Sequence, residues 1–186
     1  MTHGCNEPGA VVGVVLAAGA GTRYGSPKVL VDDWLTRAVG AVDAGGCAPV
    51  MVTLGAAIVD VPAPASAVVV ADWEAGISAS VRAGVEAAGS VPGVVGVLIT
   101  LVDVPDVDAA VVARVLRSSG RSPDAVVRAF YDGRPGHPVY IGSAHLDALR
   151  TTLHGDRGAG PFLTAHPGVR AVECGDLATG HDIDRR

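Results

Sequence analysis

VVGVVLAAGAGTRYGSPK, residues 11–28, changes character part-way along. Val11–Ala17 is a short apolar run with a glycine near each end, the pattern of a buried strand. It empties into a loop that holds Gly19, Gly21 and Gly25, together with Arg23 and Lys28. A strand buried on both faces belongs in a parallel sheet covered by helices. In such sheets ligands sit beyond the carboxyl ends of the strands. The loop after Ala17 is therefore the first place to look for chemistry.

The rest of the chain supplies the sheet. Trp34–Ala44 spaces Leu35, Val39 and Val42 at helical intervals and stops at Gly45-Gly46, which predicts a helix. Val50–Leu54 and Val68–Ala71 read as strands, with the proline-broken VPAPAS (61–66) between them. Ile77–Ala88 puts Ile77, Val81, Val85 and Ala88 on one helical face. Val94–Val102, the most hydrophobic strand, ends at Asp103-Val104-Pro105. Asp108 is placed to cap a helix whose Val111, Val112, Val115 and Leu116 point inward. Ala125–Phe130 and His137–Ile141 read as strands joined by the turn-rich YDGRPG. Ser143–Leu153 and Pro161–His166 follow as helices, and Val169–Glu173 is the last strand. This alternation predicts an α/β fold, Rossmann-like, with a mostly parallel central sheet and helices on both faces. One domain spans residues 11–186 after a loose leader at residues 1–10.

Composition narrows the partners. The 186 residues are 49% hydrophobic and only 4% aromatic, so Val, Ala, Leu and Ile must build the core. A formal charge of -5 argues against an electrostatic nucleic-acid partner. No run reaches the roughly 18 apolar residues that cross a bilayer. MTHGCNEPGA lacks the basic start of a secretory signal, so a cytoplasmic location without a membrane partner is expected. Cys5, Cys47 and Cys174 are widely spaced and read as free thiols rather than a disulfide framework or zinc site. His3, His145, His154, His166 and His181 show no metal-binding spacing.

Two familiar glycine loops fail on residues 16–28. Gly19, Gly21 and Gly25 are one residue too long for G-x-G-x-x-G, and no acidic residue follows where a ribose would need it. Lys28 lies between Pro27 and Val29, not in the Gly-Lys-Ser/Thr of a P-loop. What remains is physical: glycines let backbone N–H groups approach an oxyanion, Arg23 can fork onto phosphate oxygens, and Lys28 adds a point charge. An ordinary glycine-rich turn with two solvated cations fits the spacing too. Asp103 closes a mostly apolar strand on the same sheet edge, where a carboxylate needs a partner. It would face Arg23 and Lys28 across a cleft as a ligand for Mg²⁺ bridging to phosphates, or else only cap the next turn.

The sequence resembles a known family. LAAGAGTRYGSPK (16–28) is similar to the L-A-A-G-x-G/S-x-R-x-G-x-x-K signature of nucleotidyltransferases with the GT-A-like fold. LVDVP (101–105) stands where molybdenum cofactor nucleotidyltransferases carry D-Q-P. ADWEAGISASVRAG (71–84), RPGHPVYIG (134–142), GDRGAGPFL (155–163) and the tail HDIDRR resemble four further blocks. Together the matches run from residue 11 to 184 in family order. They point to the molybdenum cofactor cytidylyltransferase branch of the MobA-like NTP transferases. The L-A-A-G form leans towards CTP over GTP.

The resemblance implies transfer of a nucleoside monophosphate from an NTP, CTP favoured, to a phosphorylated pterin-type acceptor, with pyrophosphate released. Catalytic roles fall to Arg23, Lys28 and Asp103. Leu16, Ala17, Ala18, Gly19, Ala20, Gly21, Thr22, Asp72 and Ser80 join Arg23 and Lys28 in binding the nucleotide. Asp103, Asp182 and Asp184 hold Mg²⁺, and Trp73 and His137 stand on the acceptor side. Departures are clear: the stretch after Lys28 is short, Val104 replaces glutamine, Gly160 replaces the arginine of G-A-R, and the tail stops at Arg186. A guanylyl or sugar-phosphate transferase is an alternative. Another is a non-catalytic chaperone that carries nucleotide or cofactor to a molybdoenzyme client, which the short stretch motivates.

Overall fold

The computed structural model describes residues 9–185. The expected leader falls, up to residue 8, outside the described residues, as do His3 and Cys5. Ala10 already belongs to the first strand.

Seven strands form one sheet in the order β3-β2-β1-β4-β6-β5-β7. They are β1 (Ala10–Leu16), β2 (Val50–Leu54), β3 (Ser66–Val69), β4 (Val94–Leu101), β5 (Val126–Tyr131), β6 (Arg134–Gly142) and β7 (Val169–Glu173). The helices are α1 (Trp34–Ala44), α2 (Ile77–Gly89), α3 (Ala109–Ser119), α4 (Leu146–Thr152) and α5 (Gly160–Ala165). Pairing is parallel everywhere except at β6, which runs antiparallel to β4 and to β5. At the centre Val15 lies opposite Val52 on one side and Thr100 on the other.

The alternation along β1 divides the core. Val11 and Val15 pack with Leu35, Val39 and Val42 of α1 and Val111, Val112 and Val115 of α3. Val12, Val14 and Leu16 face the other way, onto Val81 and Val85 of α2, Leu149 of α4 and Phe162 of α5. Each such fully buried aliphatic side chain contributes about 1.5–3 kcal/mol. Small residues let a chain with few aromatics reach this density. α3 starts as expected: the Asp108 side chain accepts from the backbone N–H of Ala110 and Val111.

Three elements differ from the sequence reading by more than a single residue at an end. β6 begins at Arg134 rather than His137, because the connection from β5 is only a two-residue turn, Asp132-Gly133, with φ of 50° and 75°. Pro135 is tolerated there because residues before Val139 pair with β5 alone and are free of β4. β3 sits two residues early, since its register is set by Met51–Leu54 of β2 and not by the apolar run alone. The helix expected over Ser143–Leu153 opens as a 3-10 turn at Ser143–His145 before α4. Among the described residues no helix is long and apolar enough to cross a membrane.

Candidate active site

The carboxyl ends of β1, β2 and β4 share one edge of the sheet, and a cleft of about 410 Å³ opens there. That size lies within the range of small-molecule sites. Leu16–Tyr24, the end of β1 and the first part of the glycine loop, forms one wall with Lys28. Asp103 and Asp184 lie beside Lys28, and Trp73, Glu74, Ile77, Ser80 and Asp156 line the opposite side.

The glycine loop folds as a tight turn. The N–H groups of Tyr24 and Gly25 both donate to the Gly21 carbonyl, at 2.9 and 2.8 Å. Gly21 has φ +60°, and a Cβ there would stand 2.0 Å from the Ser26 carbonyl oxygen, so the turn itself demands glycine. Gly19 is different. Its φ is not in the left-handed region, and a Cβ built on it meets nothing within 4 Å. The fold has no use for a glycine at 19, yet the residue faces the cleft.

Asp103 does not face Lys28 across a gap but contacts it, while Arg23 reaches Asp184 instead. Lys28 Nζ donates to Asp103 Oδ2 at 2.5 Å and to Asp184 Oδ1 at 2.8 Å. Arg23 donates to Asp184 Oδ2 at 3.0 Å. The Lys28 and Asp103 side chains are only 13% and 15% exposed, whereas Arg23 is 75% exposed. Burial works against the Lys28 ammonium, but its two carboxylate partners outweigh that and raise its pKa above the usual value. Burial pushes the Asp103 carboxyl up, Lys28 opposes this, and the nearby negative Asp182 adds to it. Asp184, more open to solvent, is drawn below the carboxylate range first by Lys28. Asp103 Oδ1 is buried and has no hydrogen-bond partner among the described residues.

The other expected site residues separate into two groups. Trp73 and Ser80 line the cleft. Asp72, Asp182 and His137 do not line it. Asp72 is exposed and uses its carbonyl to accept from Ala75 in a 3-10 turn. His137 sits with Nδ1 3.5 Å from the Ile99 carbonyl, and burial, reinforced by Arg128, pushes its pKa down to about 4. Ala18 lines the cleft but is only 2% exposed and packs with Val70 and Ala79. Among the described residues no three His, Cys, Asp or Glu side chains converge to hold a metal unaided. Glu74 and Asp156 line the cleft without having been singled out, although both lie in the quoted blocks ADWEAG and GDRGAG. Lys28 is the only lysine in the chain, a signal that composition carries.

Residues 13–170 match the MobA-like NTP transferase domain. The chain belongs to the MobA-like NTP transferase family. A curated relative is nicotine blue oxidoreductase of Paenarthrobacter nicotinovorans, 35% identical over 192 residues, covering 94% of this chain and 92% of that one. Among solved structures, Rv0371c of Mycobacterium tuberculosis H37Rv is 27% identical with a TM-score of 0.75, over 96% of this chain and 94% of that one. A second structure, of Rv0371C in complex with manganese, is 26% identical with a TM-score of 0.71, over 94% of each chain. The MobA-like fold thus accounts for the seven-stranded sheet and for the position of the cleft at its edge.

Proposed function

We propose that this MobA-like protein transfers a nucleoside monophosphate, from CTP by preference, to a phosphorylated pterin-type acceptor of the kind a molybdoenzyme client would use. An acceptor phosphate oxygen attacks the α-phosphorus, a new P–O bond forms, the α–β P–O bond breaks, and pyrophosphate leaves. No enzyme nucleophile is needed. The backbone of Gly19–Thr22 cradles the triphosphate, and Arg23 and Lys28 neutralise charge that grows as pyrophosphate departs.

Gly19 carries this reading. A glycine with neither a backbone nor a packing reason, lining a cleft beside two cations, is explained by a ligand that comes close to the main chain. Gly19→Ala should therefore leave the melting temperature unchanged or slightly higher. It should weaken NTP binding by about tenfold or more, the worth of one charge-assisted hydrogen bond. Calorimetric titration beside a thermal melt checks both.

The donor set suits a hard divalent cation. Asp103 Oδ1 is a buried carboxylate oxygen without a partner among the described residues, and Asp184 lies on the same lysine. Two carboxylates, with phosphate oxygens and water completing the shell, are what Mg²⁺ takes at nucleotide sites. When bound, such an ion draws charge from the phosphates. The manganese complex of Rv0371C supports the use of a divalent ion.

CTP is favoured by the L-A-A-G form of residues 16–19. Because Ala18 is only 2% exposed, base choice would act through the position of the loop and not through direct contact. A second reading draws on the oxidoreductase relative. Cys47 and Cys174 are buried and free and do not line the cleft, so electrons would arrive on a bound carrier such as a dinucleotide, its phosphates on the same loop. One panel separates the two. The four NTPs with Mg²⁺ and molybdopterin should yield pyrophosphate, fastest with CTP. NADH oxidation with a quinoid acceptor and no pyrophosphate would instead establish the second reading.

A further inference from the structure

The tail after β7 returns across the sheet edge by a defined path. Cys174 donates its N–H to the Phe130 carbonyl at 2.7 Å. Leu177, Ala178 and Ile183 pack against the core cluster beneath α1 and α3. Between them Thr179 donates twice to one oxygen, Asp106 Oδ2, from its backbone N–H and from Oγ1, both at 2.6 Å. The Ile183 N–H then reaches the Asp103 carbonyl at 3.0 Å. The next residue is Asp184, whose two carboxylate oxygens sit on Lys28 and Arg23. One short loop, between β4 and α3, therefore carries Asp103 and also holds the tail, through Asp106.

The carboxylate of Asp184 satisfies the same two cations that an incoming phosphate needs. It is an anion, it bridges both, and it is partly open to solvent at 44% exposure. Without a divalent cation to draw it away, it competes with any free oxyanion for that seat. How well it competes depends on how firmly the tail is led there. We propose that Asp106 is a positioning residue: by clasping Thr179 it seats Asp184 on Arg23 and Lys28 and so sets how readily a phosphate reaches them. This rests on the reading of Arg23 and Lys28 as the phosphate seat.

Inorganic pyrophosphate, titrated calorimetrically into the full-length protein with chelator and no divalent cation, tests it. Asp184→Asn should bind pyrophosphate about three- to tenfold more tightly, the range for losing two part-exposed ion pairs. Asp106→Ala should shift affinity in the same direction by a smaller factor. Asp106→Asn should stay at wild type, since one amide oxygen can still accept both bonds from Thr179. The double variant Asp106→Ala/Asp184→Asn should bind no more tightly than Asp184→Asn alone. A loosened fold would weaken binding, so tightening is a readout that general destabilisation does not produce. If Asp106→Asn tightens as much as Asp106→Ala, the lost negative charge is the cause and the clasp is overturned. Unchanged affinity in Asp106→Ala, or additive effects in the double variant, overturns it as well. If pyrophosphate binds the wild type and Lys28→Ala equally, the phosphate seat falls, and this proposal with it.

Discussion

Lys28→Ala should lower turnover by about 10²–10³, the usual loss when one preorganised charge is removed from a transferring phosphate. Pyrophosphate release under saturating NTP measures it. The ammonium is the least exposed charge of the cleft and is held on two sides by carboxylates, so its position is fixed before substrate arrives. The sequence alone suggests that this change leaves the fold untouched. The contacts correct that expectation. Asp103 is mostly buried, its Oδ1 has no partner, and Lys28 is the only cation on its Oδ2 among the described residues. Removing the lysine strands a carboxylate, at a cost of about 1–3 kcal/mol, below the 3–5 of a fully buried pair. The double variant Lys28→Ala/Asp103→Asn should recover most of that stability without recovering activity. Wild-type turnover in Lys28→Ala would mean that the loop is only a turn.

Asp103→Asn should remove activity by at least about 10²-fold, and raising the Mg²⁺ concentration should restore part of it. The Lys28→Ala defect should not respond to Mg²⁺. A neutral amide is a poor ligand for a hard cation but keeps the shape of the side chain. Stability should hold or rise. Burial lifts the folded-state pKa of Asp103 above its unfolded value, so its contribution is full at low pH and is lost as pH rises through the folded value. Near neutrality the ionised Asp103 is thus a burden on the fold, which asparagine relieves, while Lys28 keeps Asp184 as a partner. A metal-independent defect would remove Asp103 from the ion's shell.

Much of the sheet was legible because its strands and helices state their burial locally. Val50–Leu54 and Val169–Glu173 are bounded by turn residues, and Trp34–Ala44 shows one apolar face; all three match the structure. β6 was less legible because Pro135 and Gly136 read as breakers, and only the pairing on one side explains why the strand tolerates them. At the site, the loop, Asp103 and Asp184 could be found in sequence because each ends an apolar run or closes a familiar block. That Lys28 touches both carboxylates could not be read, since the contacts join residues 75 and 156 positions apart. Asp182 and Asp184 are alike as a D-I-D triplet. Only the bond from the Ile183 N–H to the Asp103 carbonyl fixes which of them turns to the lysine.

The ion pair between Arg23 and Asp184 closes a loop of 161 positions. During synthesis β1 and its glycine turn leave the ribosome early, and β2 and β4 can pair with them as they follow. The anion that rests on Arg23 and Lys28 is made 161 and 156 positions after them. Closing a loop of that length carries a large entropy cost, so this contact belongs to the late, slow part of folding. A ribosome-bound chain therefore displays a half-built cleft with bare cations until Asp184 emerges. Nucleotide in the surrounding solution is the ready counter-charge for them until the tail arrives.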